Sequence, residues 1–169
     1  MNTEFVQVLV NPGRFFKERM KDEPGLKIPM LITLVYGLIS AVSAALTANV
    51  VIALLPAEAQ AFGATAVAFA AVFAVIMGFL AWIICAAVFY IISMLFGGEG
   101  TFTRTLEFTG YGLLPLIFGG IIGSAFSYQV ISNLTIPPAI NPENLAGIIA
   151  ADPLTQIAGL LGILFILWS

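Results

Sequence analysis

Gly97-Gly98-Glu99-Gly100-Thr101-Phe102-Thr103-Arg104-Thr105-Leu106-Glu107-Phe108-Thr109-Gly110-Tyr111-Gly112-Leu113-Leu114-Pro115 is a short polar island in an otherwise oily chain. Uncharged, apolar-rich runs flank it, Ala59 to Gly98 before and Phe108 to Pro142 after. The island therefore sits where two membrane spans return to the same water layer, and Arg104 marks which layer that is. The wider composition agrees: 60% of residues are hydrophobic, 9% are charged and the mean hydropathy is +1.07. Soluble domains have about half apolar and about a quarter charged residues. The chain reads as an integral, multi-pass membrane protein with an all-α fold, a polytopic helical bundle. A bilayer core about 30 Å thick needs roughly 20 apolar helical residues per crossing, so one domain of about four or five spans is expected.

Working outward from the island, the run Ala61 to Phe96 before it carries no charge and no proline. As one helix its length would be about 54 Å at about 1.5 Å per residue, so it must tilt, protrude or break. Gly78 is its only mid-run candidate for a break. A hairpin there would strand backbone groups in lipid, and one long helix is expected. Trp82, Tyr90 and Phe96 lie toward its second half, where rings of this kind mark the interface. After the island, a span is expected over 111–132 with Pro115 in its first turn. A proline-rich loop follows, with Pro137-Pro138, Asn141-Pro142 and a short interfacial helix over Glu143 to Ala150. The last span begins at Pro153 and runs to 169.

The first span is expected over 28–55, closed by Pro56. Gly37, Ala41 and Ala45 form one small-residue stripe on it, and Gly119, Gly120 and Gly123 repeat the pattern in the third span. Such stripes let helix backbones approach closely in lipid. Isoleucine at Gly119 or Gly123 is accordingly expected to disrupt packing or homo-oligomerisation. Residues 1–27 precede the bundle as a cytoplasmic amphipathic lead-in. Asn11 is a natural N-cap with Pro12 at the first helical position. Beyond it Phe15 and Phe16 can insert at the membrane surface while Arg14, Lys17 and Lys21 reach headgroups, an interfacial helix. Alternatively, the two aromatics cover a neighbouring span.

All six basic residues sort to one side: Arg14, Lys17, Arg19, Lys21 and Lys27 precede the first span, and Arg104 lies in the island. The positive-inside rule then puts the N-terminus and the island in the cytoplasm, with the cell membrane the expected location. A formal charge of −3 argues against a nucleic-acid partner. The chain contains no histidine, which removes zinc sites of the HExxH kind and Ser-His or Cys-His pairs. No Asp or Glu falls within an expected span, against aspartyl-type proteolysis and proton-coupled transport. Cys85, between Ile84 and Ala86, reads as a packing residue. Neither an enzyme nor a cofactor site is expected.

In the island, Thr101 should cap a helical turn or two, with Arg104 and Glu107 forming an exposed pair at i,i+3. The following Gly110-Tyr111-Gly112-Leu113-Leu114-Pro115 resembles the GYxxxP signature of the Yip family, multi-span proteins named for interaction with Ypt/Rab GTPases. The lead-in from Asn11-Pro12 through Phe15-Phe16 to Glu23-Pro24-Gly25, and the Gly97-Gly98-Glu99-Gly100-Thr101-Phe102 run, are similar as well. The resemblance implies a bundle usually of five spans, of which about four are present here. It also implies membrane-protein or GTPase-like partners. A long N-terminal tail and a DLYGP-like motif are absent, and the compact form is most like prokaryotic Yip-domain proteins. The expected function is a non-enzymatic membrane scaffold or adaptor. Its candidate recognition residues are Arg104, Glu107, Tyr111 and Pro115, with Arg104 on an acidic group or phosphate and the Tyr111 hydroxyl wet. The alternative is a small transporter, channel or lipid-translocating protein acting through Ser/Thr-lined or glycine-lined paths.

Overall fold

The structure, a computed structural model, describes residues 2–53, 55–133 and 142–169. These form α1 (Asn2–Val10), α2 (Pro12–Arg19), α3 (Lys27–Ala53), α4 (Ala57–Gln60), α5 (Gly63–Leu95), α6 (Phe102–Gly112), α7 (Leu114–Asn133), α8 (Pro142–Ala151) and α9 (Pro153–Trp168). Among the described residues there is no strand. The Pro137-Pro138 and Asn141 part of the expected loop lies outside them.

Local chemistry explains the boundaries. Asn11 accepts from the Arg14 amide at 3.2 Å, with Pro12 at the first helical position of α2. Asp152 likewise accepts from the amides of Leu154 at 2.8 Å and Thr155 at 3.4 Å, opening α9 at Pro153. Helix α5 ends in a Schellman motif: the Gly98 amide donates to the Ser93 carbonyl at 2.8 Å and Gly97 to Met94 at 3.1 Å. Gly97 adopts φ +76°, a left-handed conformation that a residue without Cβ enters readily.

Three helices are long and apolar enough to cross a membrane: α3, α5, and α6 with α7 counted together from Phe102 to Asn133. Helix α9 is a shorter apolar helix. The long second span is unbroken, and Gly78 serves packing instead. A Cβ on Gly78 would lie 3.5 Å from the Gly37 Cα, and one on Gly37 would lie 3.3 Å from the Val75 Cα. Between apolar helices in lipid there is little hydrophobic driving force, so close backbone approach and its dispersion contacts hold the α3–α5 pair. Ala41, a turn further along α3, is half-buried. The hydroxyls of Ser43 on α3 and Ser124 on α7 meet at 2.6 Å. A Cβ on Gly119 would lie 3.0 Å from the Phe165 ring of α9, and one on Gly120 would lie 2.9 Å from the Ile39 Cγ2 of α3.

The polar island opens a helix ahead of the third span. Its helix begins at Phe102, because Thr101 accepts from the Arg104 amide at 3.3 Å and caps it there. Pro115 has no N–H to give the Tyr111 carbonyl, and the helix is interrupted at Leu113 between α6 and α7. Arg104 and Glu107 thus lie on α6, ahead of that interruption.

Gly123 meets nothing within 4 Å of a built Cβ. Gly37→Ile should therefore cost about 1–3 kcal/mol by overpacking, whereas Gly123→Ile should stay within about 0.5 kcal/mol as a surface change. Thermal denaturation of the two variants in detergent checks the contrast.

Candidate functional site: a buried ionic knot

The polar island and the N-terminal segment, far apart in sequence, meet at one end of the bundle. Glu107 is the meeting point, with a side chain 0% exposed. A carboxylate in such surroundings costs several kcal/mol unless charge and hydrogen bonds compensate. Here three donors converge on it. The Arg19 Nε donates to Oε1 at 2.8 Å, the Gly25 amide to the same oxygen at 3.1 Å, and the Arg104 Nη1 to Oε2 at 2.6 Å. Arg104 also donates to the Arg19 carbonyl at 3.1 Å and to the Asp22 carbonyl. Asp22 closes the set, with its carboxylate 3.6 Å from the Arg19 Nη1.

The knot fastens the turn after α2 to α6. Its hydrogen bond to Glu107 raises the Arg19 pKa above the ordinary guanidinium range. A cation whose folded pKa is raised stabilises the fold fully below its unfolded value and loses that stabilisation only above it. Arg19 therefore holds across the whole physiological range.

Apolar contacts surround the ions. Phe15, 5% exposed, packs edge-on against Tyr111 at 4.9 Å between centroids, and Phe16 packs on Phe108 at 4.8 Å. The Arg104 guanidinium lies 5.5 Å from the Phe108 ring centroid. Val8, Ile32 and Leu114 complete this cluster, so α1 and α2 share a core with α3, α6 and α7. Beneath it, three helices touch at a point. The Trp82 Nε1 donates to the Leu106 carbonyl at 2.9 Å. The indole reaches that carbonyl because Gly110, one turn on, has no side chain; a Cβ there would lie 2.5 Å from the Pro29 Cβ and 3.1 Å from the indole nitrogen.

Several expected roles change with this geometry. Arg104 and Glu107 do pair at i,i+3, but the pair is buried and its hydrogen bonds run within the chain. Tyr111 is 1% exposed, so its ring is a core element and its hydroxyl is not wet. Pro115 is buried at the helix interruption. Phe15 is buried against the bundle, as in the alternative reading of the lead-in, and Trp82 is a buried strut. Arg14 and Lys17 on α2 and Lys21 in the turn after it are exposed, with Arg14 paired to Glu18 at 2.8 Å. Cys85 is exposed on α5. Sequence reasoning did not single out Arg19, Gly25, Pro29 or Gly110. Gly110, next to Tyr111 in the signature, and Gly25, in the Glu23-Pro24-Gly25 run, carried a local signal. Among the described residues no three His, Cys, Asp or Glu side chains gather as a metal site.

The Yip1 domain matches residues 6–169, nearly the whole chain. The chain is also similar to an uncharacterized protein of the archaeon Methanocaldococcus jannaschii, 38% identical over 125 residues, 74% of this chain and 89% of the relative. No solved structure matches.

Proposed function

Given that this chain belongs to the Yip1-domain family, we propose that it is a membrane scaffold or adaptor that presents one rigid cytoplasmic face to a membrane-protein partner. The family is not an enzyme family. The observation that carries the reading is the buried knot at Glu107, which locks a water-soluble arm onto the end of a lipid-embedded bundle. A segment that served only to enter the membrane would not require a fully buried carboxylate with three donors. Docking fixes the rotation of α2: Phe15 and Arg19 turn inward, and Lys17 stays exposed, as do Lys21 just beyond the helix and Thr103 on α6.

In this proposal Arg104, Glu107, Tyr111 and Pro115 shape the face, while Lys17, Lys21 and Thr103 contact the partner. The positive-inside rule puts this end in the cytoplasm. Arg14, Lys17 and Lys21 also lie near enough to the bundle end to meet anionic headgroups, which would hold the arm against the lipid surface. A GTPase-like partner is one member of the class, and a second copy of the chain is another.

A photo-reactive amino acid at Thr103, activated in cells, tests the proposal. The expected result is a discrete protein adduct that weakens when Lys17 and Lys21 are both changed to glutamate. Adducts to lipid alone, the same in both proteins, would contradict it.

A further inference from the structure

A cleft of about 450 Å³ lies between α3, α7 and α9, lined among others by Tyr36, Ser40, Ser43, Gly119, Gly162 and Phe165. That volume is in the range of small-molecule pockets, about 300–1,000 Å³. We propose that the cleft seats one hydrocarbon chain of a membrane lipid.

Depth is the first argument. Tyr36 and Ser43 come nine and sixteen residues after Lys27, the first residue of α3. At about 1.5 Å per residue they lie about 14 and about 24 Å along the axis, inside a core about 30 Å thick. The cleft therefore lies at the depth of the acyl chains if α3 enters the bilayer at Lys27. Ile166 at its rim is 63% exposed.

The chemistry of the walls selects the chain over the headgroup. Ser40 donates to the Tyr36 carbonyl at 3.0 Å, and Ser43 and Ser124 pair with each other at 2.6 Å. These serine hydroxyls are engaged within the protein, so apart from the Tyr36 hydroxyl the lining offers mainly apolar contact. Among the described residues no Lys or Arg lines it to neutralise a phosphate. The glycines make the space: Gly162 lines the cleft and a Cβ built on it meets nothing within 4 Å.

The test follows from that open space. Full-length protein is reconstituted in phosphatidylglycerol and phosphatidylethanolamine vesicles containing a trace of phospholipid with a diazirine midway along one acyl chain. After irradiation, label is mapped by mass spectrometry. Gly162→Leu plugs the cleft, and Gly159→Leu, also on α9 with nothing within 4 Å but outside the lining, is the control. Both replace a helical glycine, which favours the helix. The expected result is label concentrated on the segments 116–120 and 162–166, reduced about tenfold by Gly162→Leu, equivalent to about 1.4 kcal/mol, and unchanged by Gly159→Leu. Label spread as densely over the outer face of α5, or indifferent to Gly162→Leu, would overturn the proposal. So would native mass spectrometry showing that Gly162→Leu dissociates a dimer, which would assign the cleft to a second copy.

Discussion

Glu107→Ala is expected to release the N-terminal arm from the bundle. The substitution removes the one group that satisfies Arg19, Arg104 and the Gly25 amide together, and leaves two guanidinium groups facing each other in a largely enclosed space. Breaking a buried ion pair from one side costs about 3–5 kcal/mol. The lower end applies here, because the Arg19 and Arg104 side chains keep 23% and 17% of their exposure and can turn toward water. Two readouts separate arm release from general unfolding. Trypsin should cut after Arg19, which the knot shields, far faster in the variant, while the far-ultraviolet circular dichroism of the bundle stays near that of the wild type. Exchanging the charges, Arg19→Glu with Glu107→Arg, should not rescue docking. The Gly25 amide is a fixed donor at that point and would then face a cation.

The second large effect is expected at Gly110. A Cβ there falls 2.5 Å from the Pro29 Cβ and 3.1 Å from both the Pro29 Cα and the Trp82 Nε1. The α3 backbone cannot move aside as a flexible side chain would. Overpacking of this kind costs about 1–3 kcal/mol and sometimes more. Gly110→Leu should push the indole off the Leu106 carbonyl and leave a buried N–H without its acceptor, adding about 1–3 kcal/mol. In a Trp168→Phe background, where Trp82 is the remaining tryptophan, the emission of Gly110→Leu should shift and its melting temperature fall. An unchanged spectrum would mean that α3, α5 and α6 do not meet there.

The helices were legible because hydrophobic runs and capping residues are local. Asn11-Pro12, Thr101 and Pro153 each supply a side-chain acceptor or a preset φ within three residues of the helix they open, and all three do so in the structure, where Asp152 adds a cap that was not read. The unbroken α5 followed from an equally local argument, that a glycine alone does not justify exposing backbone to lipid. What sequence could not supply was pairing across the chain. Arg19 and Glu107 are 88 residues apart, and Arg19 looked like one more of five basic residues before the first span. The i,i+3 spacing gave Arg104 its partner but not its burial, since burial depends on α2 folding over it. Tyr111 and Phe15 show the same limit: each has an amphipathic or aromatic side chain suited to an interface, and each is buried by the other. The signature around Gly110 and Tyr111 marked the right place for a different reason. Its small residue admits Trp82, and its proline interrupts the helix.

Docking of the arm is read out by the distance between nitroxide labels on Lys17→Cys and Thr103→Cys in lipid, in a Cys85→Ala background, by pulsed electron resonance. Both sites are exposed and outside the knot. The account predicts one narrow distance distribution in the otherwise wild-type protein, and a broad one when Glu107→Ala is added. A distribution equally broad with and without Glu107 would contradict it, because the arm would then not be docked by the buried carboxylate.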